Sequence, residues 1–188
     1  MRRVIVSEFV TLDGVVEDPS WTFQFSSEQR EKFKFDELSA SDALVLGRVT
    51  YEVFAASWPR MTEQAGEAGE YADMMNGYPK HVVSTTLEEP LEWNNSTLIK
   101  GDVAEEVLKL KQQHGKDKDI LIFGSGDLVN TLMQHDLIDE YRLMVFPVVV
   151  GSGKRLFGEG IEKMVLNLVD TKTLGSGVVV LSYQRAQS

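Results

Sequence analysis

The chain has 188 residues, a hydrophobic fraction of 43% and a formal net charge of −10, with no cysteine. This length and composition predict one globular domain spanning residues 1–188, with a substantial core, and exclude a disordered chain. The missing cysteines exclude disulfides, thiolate catalysis and cysteine-based zinc sites. The acidic balance argues against a broad surface for nucleic acid or for an anionic membrane.

The sequence also limits location and metal content. No apolar run approaches the roughly 20 residues needed to span a bilayer, so we expect no membrane partner. Glu8 interrupts the apolar stretch that follows Arg3, which is too short for a signal peptide. A cysteine-free chain is compatible with the reducing cytoplasm, where we expect the protein. No pair of histidines has the spacing of metal ligands on a helix, so we expect no metal.

Strands and helices alternate over about 140 residues. Short apolar runs predict strands at residues 4–10, 43–46, 80–84, 96–99, 120–123 and 141–150. Helical periodicity predicts helices at residues 28–38, from about 51, at 103–114 with Gly115 as C-cap, and from about 128. Two stretches have weaker patterns, a long loop at residues 15–26 and an excursion at 59–79 with a short helix near 70–75.

The C-terminal part contains strands without helices. Pro147 interrupts the 141–150 strand and implies a bulge or a sheet edge there, because proline donates no ladder bond. Strands at residues 165–174 and 178–185 flank Gly175-Ser176-Gly177, which is typical of a hairpin turn. The element order predicts an α/β fold, with a mostly parallel sheet between helices and an antiparallel hairpin at one edge.

One stretch combines a strand, a glycine turn and a helix, and runs from Asp119 to Met133. Gly124 and Gly126 permit a tight turn, and the start of the following helix favours an anion such as phosphate. A plain strand-to-helix turn explains the stretch equally well. Val129 stands at the third glycine position, so this is not the Rossmann fingerprint. Asp127 competes with a phosphate for the helix dipole and can instead cap the helix.

Two further motifs follow predicted strands. In Gly47-Arg48-Val49-Thr50, the glycine allows close approach, Arg48 offers a planar fork for phosphate, and Thr50 can cap the next helix. Ser84-Thr85-Thr86 places hydroxyls where a phosphate or ribose can be contacted. A surface arginine and a simple turn are the simpler alternatives. Because carboxyl ends of parallel strands share one sheet edge, we expect all three motifs to meet in one crevice.

The aromatic residues Trp21, Phe23 and Phe25 lie together in the predicted loop. They form either a local hydrophobic cluster or part of a substrate-binding wall. Three isolated histidines, His81, His114 and His135, show no hydrolytic arrangement. The sequence pattern therefore indicates binding chemistry more than hydrolysis.

Several motifs occur in an order that resembles a known family. They are residues 7–14, 46–52, 83–87, 122–126 and 139–151. The chain resembles the dihydrofolate reductase-like superfamily, specifically bacterial proteins similar to the reductase domain of the bifunctional riboflavin biosynthesis enzyme. The resemblance covers the chain from Arg3 to Gln184.

The resemblance implies a three-layer α/β/α domain that binds NADPH. It places phosphate contacts at Gly47, Arg48 and Thr50, with Ser84 and Thr85 near the adenosine 2′-phosphate. It places the pyrophosphate and nicotinamide side at Gly124, Ser125, Gly126, Asp127 and Leu128. A mobile loop over the nicotinamide would contain Asp13, Gly14, Val15 and Val16. It also implies a homodimer through C-terminal sheet-edge strands, with residues 141–150 as the candidate interface.

The substrate side departs from the family pattern. Riboflavin reductases place a substrate-binding glutamate where this chain has Phe123, and their Leu-x-x-Arg segment has no match near Trp58. We expect Asp13, Trp21 and Phe123 to contact substrate. Candidates for a catalytic carboxylate are Asp13 and, on the first helix, Glu31, Asp36 and Glu37, among which the sequence does not choose.

The first hypothesis is an NADPH-dependent reductase of a pterin or an aminopyrimidine. It would resemble 5-amino-6-(5-phosphoribosylamino)uracil reductase or dihydrofolate reductase. The alternative, motivated by the missing glutamate and arginine, is a nucleotide-binding module for NADP(H) or a flavin without reductase turnover.

Overall fold

The computed structural model describes residues 1–113 and 116–186 of the chain. Its strands are β1 (Val4–Thr11), β2 (Ser41–Gly47), β3 (Lys80–Val83), β4 (Ser96–Ile99), β5 (Asp119–Phe123), β6 (Glu140–Phe146), β7 (Leu166–Thr173) and β8 (Val179–Arg185). Its α-helices are α1 (Glu28–Ser39), α2 (Arg48–Ser57), α3 (Glu67–Gly77), α4 (Val103–Lys111) and α5 (Gly126–Gln134). None of the described helices is long and apolar enough to cross a membrane.

The strands form one mixed sheet in the order β4-β3-β2-β5-β1-β6-β8-β7. Every neighbouring pair from β4 to β6 is parallel, while β8 is antiparallel to both β6 and β7. This arrangement confirms the predicted mostly parallel sheet with an antiparallel C-terminal hairpin. Parallel crossovers need helices on the faces, and the described chain places them on both.

Two core clusters separate the faces of the sheet. Helices α4 and α5 contribute Val107 and Leu132 to one cluster, together with Val6 of β1. Helices α1 and α3 contribute Leu38 and Met75 to the other. Alternate residues of a strand point to opposite faces, so β1 supplies apolar side chains to both clusters and is buried along its length. The result is the expected three-layer α/β/α arrangement.

Five local expectations about elements differ from the structure. The loop at residues 15–26 contains the 3-10 helix Pro19–Phe25, and α2 begins at Arg48 instead of near residue 51. Helix α3 is longer than the expected 70–75. Strand β6 ends at Phe146, because after Pro147 the Val148 N–H turns back to the Phe146 carbonyl at 2.8 Å. The expected end of α4 at His114 and its C-cap Gly115 lie outside the described residues, and the helix itself ends at Lys111.

Strand β6 is not at a sheet edge. It pairs with β1 on one side and with β8 on the other, so the expected edge at residues 141–150 is wrong. The C-terminal hairpin folds back beside β6 and covers its backbone groups. The edge strand on this side of the sheet is β7. The homodimer stays a prediction, and β7 is the C-terminal strand whose edge can take part in it.

Candidate functional site

A cavity of about 880 Å³ opens at the carboxyl edge of the sheet, beside β1 and β5. From β1 the chain crosses over β5 to β2, and from β5 it crosses over β1 to β6, in the opposite direction. The β1–β5 ladder ends at the pair Ser7 and Phe123, where the two connections diverge. Such a switch point is where open α/β sheets bind ligands.

The structure brings the residues proposed for the cofactor together around this cavity. All of them line it: Val16, Gly47, Arg48, Thr50, Ser84, Thr85, Gly124, Ser125, Gly126, Asp127 and Leu128. Phe123, expected at the substrate, lines it as well. The three strand-end motifs therefore share one crevice, as their position in the sequence predicts.

Two helices begin at the cavity without side-chain caps. The N-cap of α2 is Gly47, which has no side chain, and that of α5 is Ser125, whose hydroxyl bonds to no backbone N–H of α5. The first N–H groups of a helix have no intrahelical partner, and they carry a partial positive charge. Both helix starts therefore offer donors to one anionic ligand.

Ser125 joins the two glycine-containing turns. Its Oγ accepts a hydrogen bond from the Gly47 N–H at 2.8 Å and lies 3.1 Å from the Thr50 hydroxyl. Gly124 has a φ of +56°, and a Cβ at that position would lie 2.7 Å from Thr50 Oγ1. The positive φ and this close approach to Thr50 both favour glycine at position 124.

Asp127 does not cap α5. Its carboxylate is exposed and pairs with Lys154 at 2.6 Å. The backbone N–H groups at the start of α5 consequently stay available, which resolves the competition that the sequence left open. Arg48 is half exposed at the other helix start and pairs with Glu52 at 2.9 Å.

Ser84 stabilises the turn after β3 and also lines the cavity. Its Oγ accepts hydrogen bonds from the N–H groups of Thr86 and Leu87, at 3.1 and 3.0 Å. Gly47 and Val83 are paired in neighbouring strands, so Arg48 and Ser84 follow at adjacent positions of the sheet edge. The cationic residue Arg48 therefore shares one part of the sheet edge with Ser84 and Thr85, which both carry hydroxyl groups.

One end of the cavity is aromatic. Phe54 lies 6.3 Å from the ring centroids of both Phe123 and Trp58, and Trp58 lies 5.3 Å from Tyr71. Burial raises the pKa of Tyr71 well above its usual range, so its hydroxyl stays neutral. An arrangement of this kind suits a flat ring, because aromatic faces bury large areas against planar ligands.

A buried ionic network borders the aromatic end. It contains Glu37, one of the candidate carboxylates, which does not itself line the cavity, and Lys34, which the sequence pattern did not single out. Lys34 Nζ donates to Ser7 Oγ at 2.8 Å and to Glu37 Oε2 at 2.6 Å, and lies 4.2 Å from the Phe123 ring centroid. Arg142 donates to the other Glu37 oxygen at 3.4 Å. Lys34 and Glu37 are three residues apart on α1, a spacing that could have indicated the pair but not its burial.

Glu8 is a second cavity residue that the sequence analysis missed. Its residue exposure is 3%, it lines the cavity, and its Oε1 has no hydrogen-bond partner among the described residues. Burial raises the pKa of Glu8 to about 8, and the positive charge of Lys34 offsets part of this rise. The available signal was a single carboxylate within the mostly apolar strand at residues 4–10.

The other expected substrate and catalytic residues do not line the cavity. Asp13 accepts hydrogen bonds from Thr11 Oγ1 at 2.6 Å and from the Gly151 N–H at 2.8 Å. The Thr11 bond, followed by the Gly151 bond, lowers the pKa of Asp13 to about 2. Asp13 thus holds the turn after β1 against the segment after β6.

Trp21, Glu31 and Asp36 also lie away from the cavity. The Trp21 ring packs edge-on against Phe146, with 5.3 Å between the ring centroids. Of the two interpretations given for Trp21, a local hydrophobic cluster is therefore the correct one. Glu31 accepts a hydrogen bond from Ser26 on the surface, and Asp36 pairs with Lys32. Within the described residues, no group of three or more histidines and carboxylates is placed to hold a metal ion.

The sequence also matches a known protein family over nearly its whole length. The model of the RibD C-terminal domain matches residues 2–180. The chain belongs to the RibD C-terminal domain family. Its fold is accordingly dihydrofolate reductase-like, and the suspected family is confirmed.

Relatives of this RibD C-terminal domain protein include the uncharacterized protein YyaP of Bacillus subtilis (strain 168). It is 32% identical over 97% of this chain and 94% of its own length. A solved structure from Shewanella sp. PV-4, named for riboflavin biosynthesis, has a TM-score of 0.77 at 22% identity and covers 98% of this chain and 99% of its own. A pyrimidine reductase-like protein from Corynebacterium diphtheriae has a TM-score of 0.67 at 11% identity, over 100% and 93% of the two chains. Because both identities are low, these two structures show a shared fold and nothing further about this chain.

Proposed function

We propose that the protein is an NADPH-dependent reductase of a small planar heterocycle, a pterin or an aminopyrimidine. The observation that carries the proposal is the pair of uncapped helix starts, at α2 and α5, which bound one cavity with an aromatic end. Membership of the RibD C-terminal domain family supports a reductase. The name of the similar Corynebacterium protein supports a pyrimidine substrate, as in 5-amino-6-(5-phosphoribosylamino)uracil reductase.

The residues of the cavity fit NADPH in charge and in shape. Free N–H groups at the starts of α2 and α5 suit the pyrophosphate, and Gly124 beside them lines the cavity with backbone atoms alone. Arg48 offers a guanidinium fork for the 2′-phosphate, with Ser84 and Thr85 beside it. Val16 lies just after the turn that Asp13 holds. It lines the cavity and packs against the core cluster to which α5 contributes.

In this proposal, the cofactor and the protein have separate roles in the reaction. The cofactor supplies the hydride from its nicotinamide C4, and the protein binds and orients both molecules. The aromatic residues Phe54, Trp58 and Phe123 hold the substrate ring flat, and Lys34 contributes a positive charge at its edge. Ser7 and Glu37 hold the Lys34 ammonium in place.

Two measurements on the intact protein test the proposal. The first is NADPH binding by titration calorimetry. The second is NADPH oxidation with the ribosylaminopyrimidine precursor and with dihydrofolate. We expect binding and turnover on a heterocycle of this class. Binding without turnover would favour the alternative, a module for NADP(H) or a flavin nucleotide, which is motivated by Phe123 standing in place of glutamate. Failure to bind NADPH would contradict the proposal.

The Arg48→Gln variant tests the phosphate assignment. We expect it to raise the NADPH dissociation constant by roughly 10- to 100-fold, the size of a lost charge-assisted hydrogen bond. NADH affinity should stay unchanged, since NADH has no 2′-phosphate. Arg60→Gln is the matched control, because Arg60 is exposed and does not line the cavity. Equal losses for both dinucleotides would show that Arg48 does not contact the 2′-phosphate.

We also propose that the protein forms a homodimer through β7. This edge strand exposes Leu168 and Val169 at 53% and 48%, an unusual amount of apolar surface on a free edge. Light scattering should give a mass of twice 21.1 kDa, and Val169→Lys should give a monomer. Val149→Lys, at an exposed valine outside the sheet, should stay dimeric. A monomeric wild type, or a dimer that survives Val169→Lys, would contradict this interface.

A further inference from the structure

Glu8 lies on the side of the cavity that the proposed cofactor occupies. Successive side chains of a strand point to opposite faces. Ser7 contacts Lys34 and Glu37 of α1 on one face, while the even-numbered neighbours Val6 and Val10 belong to the cluster built on α5. Leu128 and Val16, both proposed cofactor contacts, pack in that same cluster. Glu8 therefore faces α5 and the turn after β1, away from the buried ionic network of Lys34 and Glu37.

The Glu8 carboxyl group has unused hydrogen-bonding capacity. It is 3% exposed, and its Oε1 has no partner in the described part of the chain. An unpaired polar atom at this depth costs stability unless a ligand satisfies it. Because burial raises the pKa of Glu8 to about 8, the group carries a proton at neutral pH and has both a donor and an acceptor.

The charged groups around the cavity do not satisfy Glu8. Lys34 of α1 acts on it only through its charge, and its ammonium is bonded to Ser7 and Glu37. On α5 and the loop after β6, Asp127 and Lys154 pair with each other. On the turn after β1, Glu17 accepts the Lys154 N–H. The remaining ionisable groups that line the cavity are Asp18, Arg48 and Tyr71.

We propose that Glu8, as a neutral acid, binds the carboxamide of the nicotinamide ring and orients that ring for hydride transfer. The Glu8 O–H donates to the carboxamide oxygen, and the other carboxyl oxygen accepts from the carboxamide N–H. Two such bonds fix the rotation of the ring, and so fix which face of it meets the substrate. The inference rests on the proposed function, because it requires NADPH in this cavity.

Three proteins and two ligands test the inference. The proteins are the wild type, Glu8→Gln and Glu8→Leu, and the ligands are NADPH and 2′-phospho-ADP-ribose, which lacks the nicotinamide. Glutamine keeps a donor and an acceptor but does not titrate, whereas leucine has neither. We expect Glu8→Leu to weaken NADPH by roughly 10- to 100-fold and Glu8→Gln by less than about threefold, with phospho-ADP-ribose unchanged in both. Circular dichroism checks that each variant is folded.

The pH dependence of affinity is the second readout. In the wild type, the affinity for NADPH relative to phospho-ADP-ribose should fall as the pH rises from 7 to 9.5, because Glu8 loses its proton through a pKa of about 8. Glu8→Gln should show a constant ratio. A constant ratio in the wild type, or wild-type NADPH affinity in Glu8→Leu, would overturn the inference. If the wild type binds neither ligand, the proposed function itself fails.

Discussion

The Gly124→Ala variant is expected to bind NADPH at least about tenfold more weakly than the wild type, a loss of roughly 1.4 kcal/mol or more. The backbone of Gly124 has a φ of +56°, and the added Cβ would lie 2.7 Å from Thr50 Oγ1. A left-handed alanine costs about 1–2 kcal/mol, and the contact forces the turn or Thr50 to move. Since Thr50 stands at the start of α2, movement disturbs both helix starts that face the ligand. Titration calorimetry measures the affinity.

Gly158→Ala is the matched control for this prediction. A Cβ at Gly158 would meet no atom within 4 Å, and the residue does not line the cavity. We expect its NADPH affinity to equal that of the wild type. Wild-type affinity in Gly124→Ala as well would place the pyrophosphate away from this turn.

The Glu37→Leu variant is expected to lower the free energy of unfolding by roughly 3–5 kcal/mol. The Glu37 side chain is 1% exposed and holds both Lys34 and Arg142. Its removal leaves the Lys34 ammonium without a carboxylate partner at a buried site and leaves Arg142 with Glu140 alone, and losing one partner is the costly way to break such a network. Urea denaturation measures the loss. Glu37→Gln keeps the shape and hydrogen-bonding groups, and should have a smaller effect in the same direction.

The neighbouring residue provides the control for Glu37. Asp36 pairs with Lys32 on the same helix, but both side chains are largely exposed. We expect Asp36→Asn to unfold at nearly the wild-type urea concentration, because water screens an exposed pair. Similar small effects for Glu37→Leu and Asp36→Asn would show that the network does not stabilise the fold.

The meeting of the three strand-end motifs in one cavity could be predicted from sequence because it depends on backbone geometry. Glycine turns and hydroxyl residues directly after apolar strands, such as Gly124 and Ser84, mark strand ends. Parallel pairing then brings those ends to one edge whatever the side-chain details are. The mostly parallel sheet and the antiparallel hairpin also follow from the alternation of strands and helices, but the position of β6 between β1 and β8 does not. The end of β6 at Phe146 depends on how the chain turns at Pro147.

The rest of the cavity depends on burial, which is not readable from spacing. Lys34 and Glu37 look like an ordinary exposed helix pair, because α1 has a weak apolar face. Glu8 looks like an interruption of a strand, although its depth in the sheet makes it the unpaired acid of the cavity. Asp13 was expected at the ligand because the family resemblance places its loop over the nicotinamide. The N–H groups of Val150 and Gly151, distant in sequence, instead engage its carboxylate.

A crystal structure of the protein grown with NADPH would locate the cofactor. We propose that NADPH lies in the cavity at the β1–β5 switch point. We predict density for the pyrophosphate between the N-termini of α2 and α5, the 2′-phosphate beside Arg48, and the nicotinamide next to Glu8. NADPH bound elsewhere on the molecule, or a cavity that stays without density at saturating NADPH, would contradict the account.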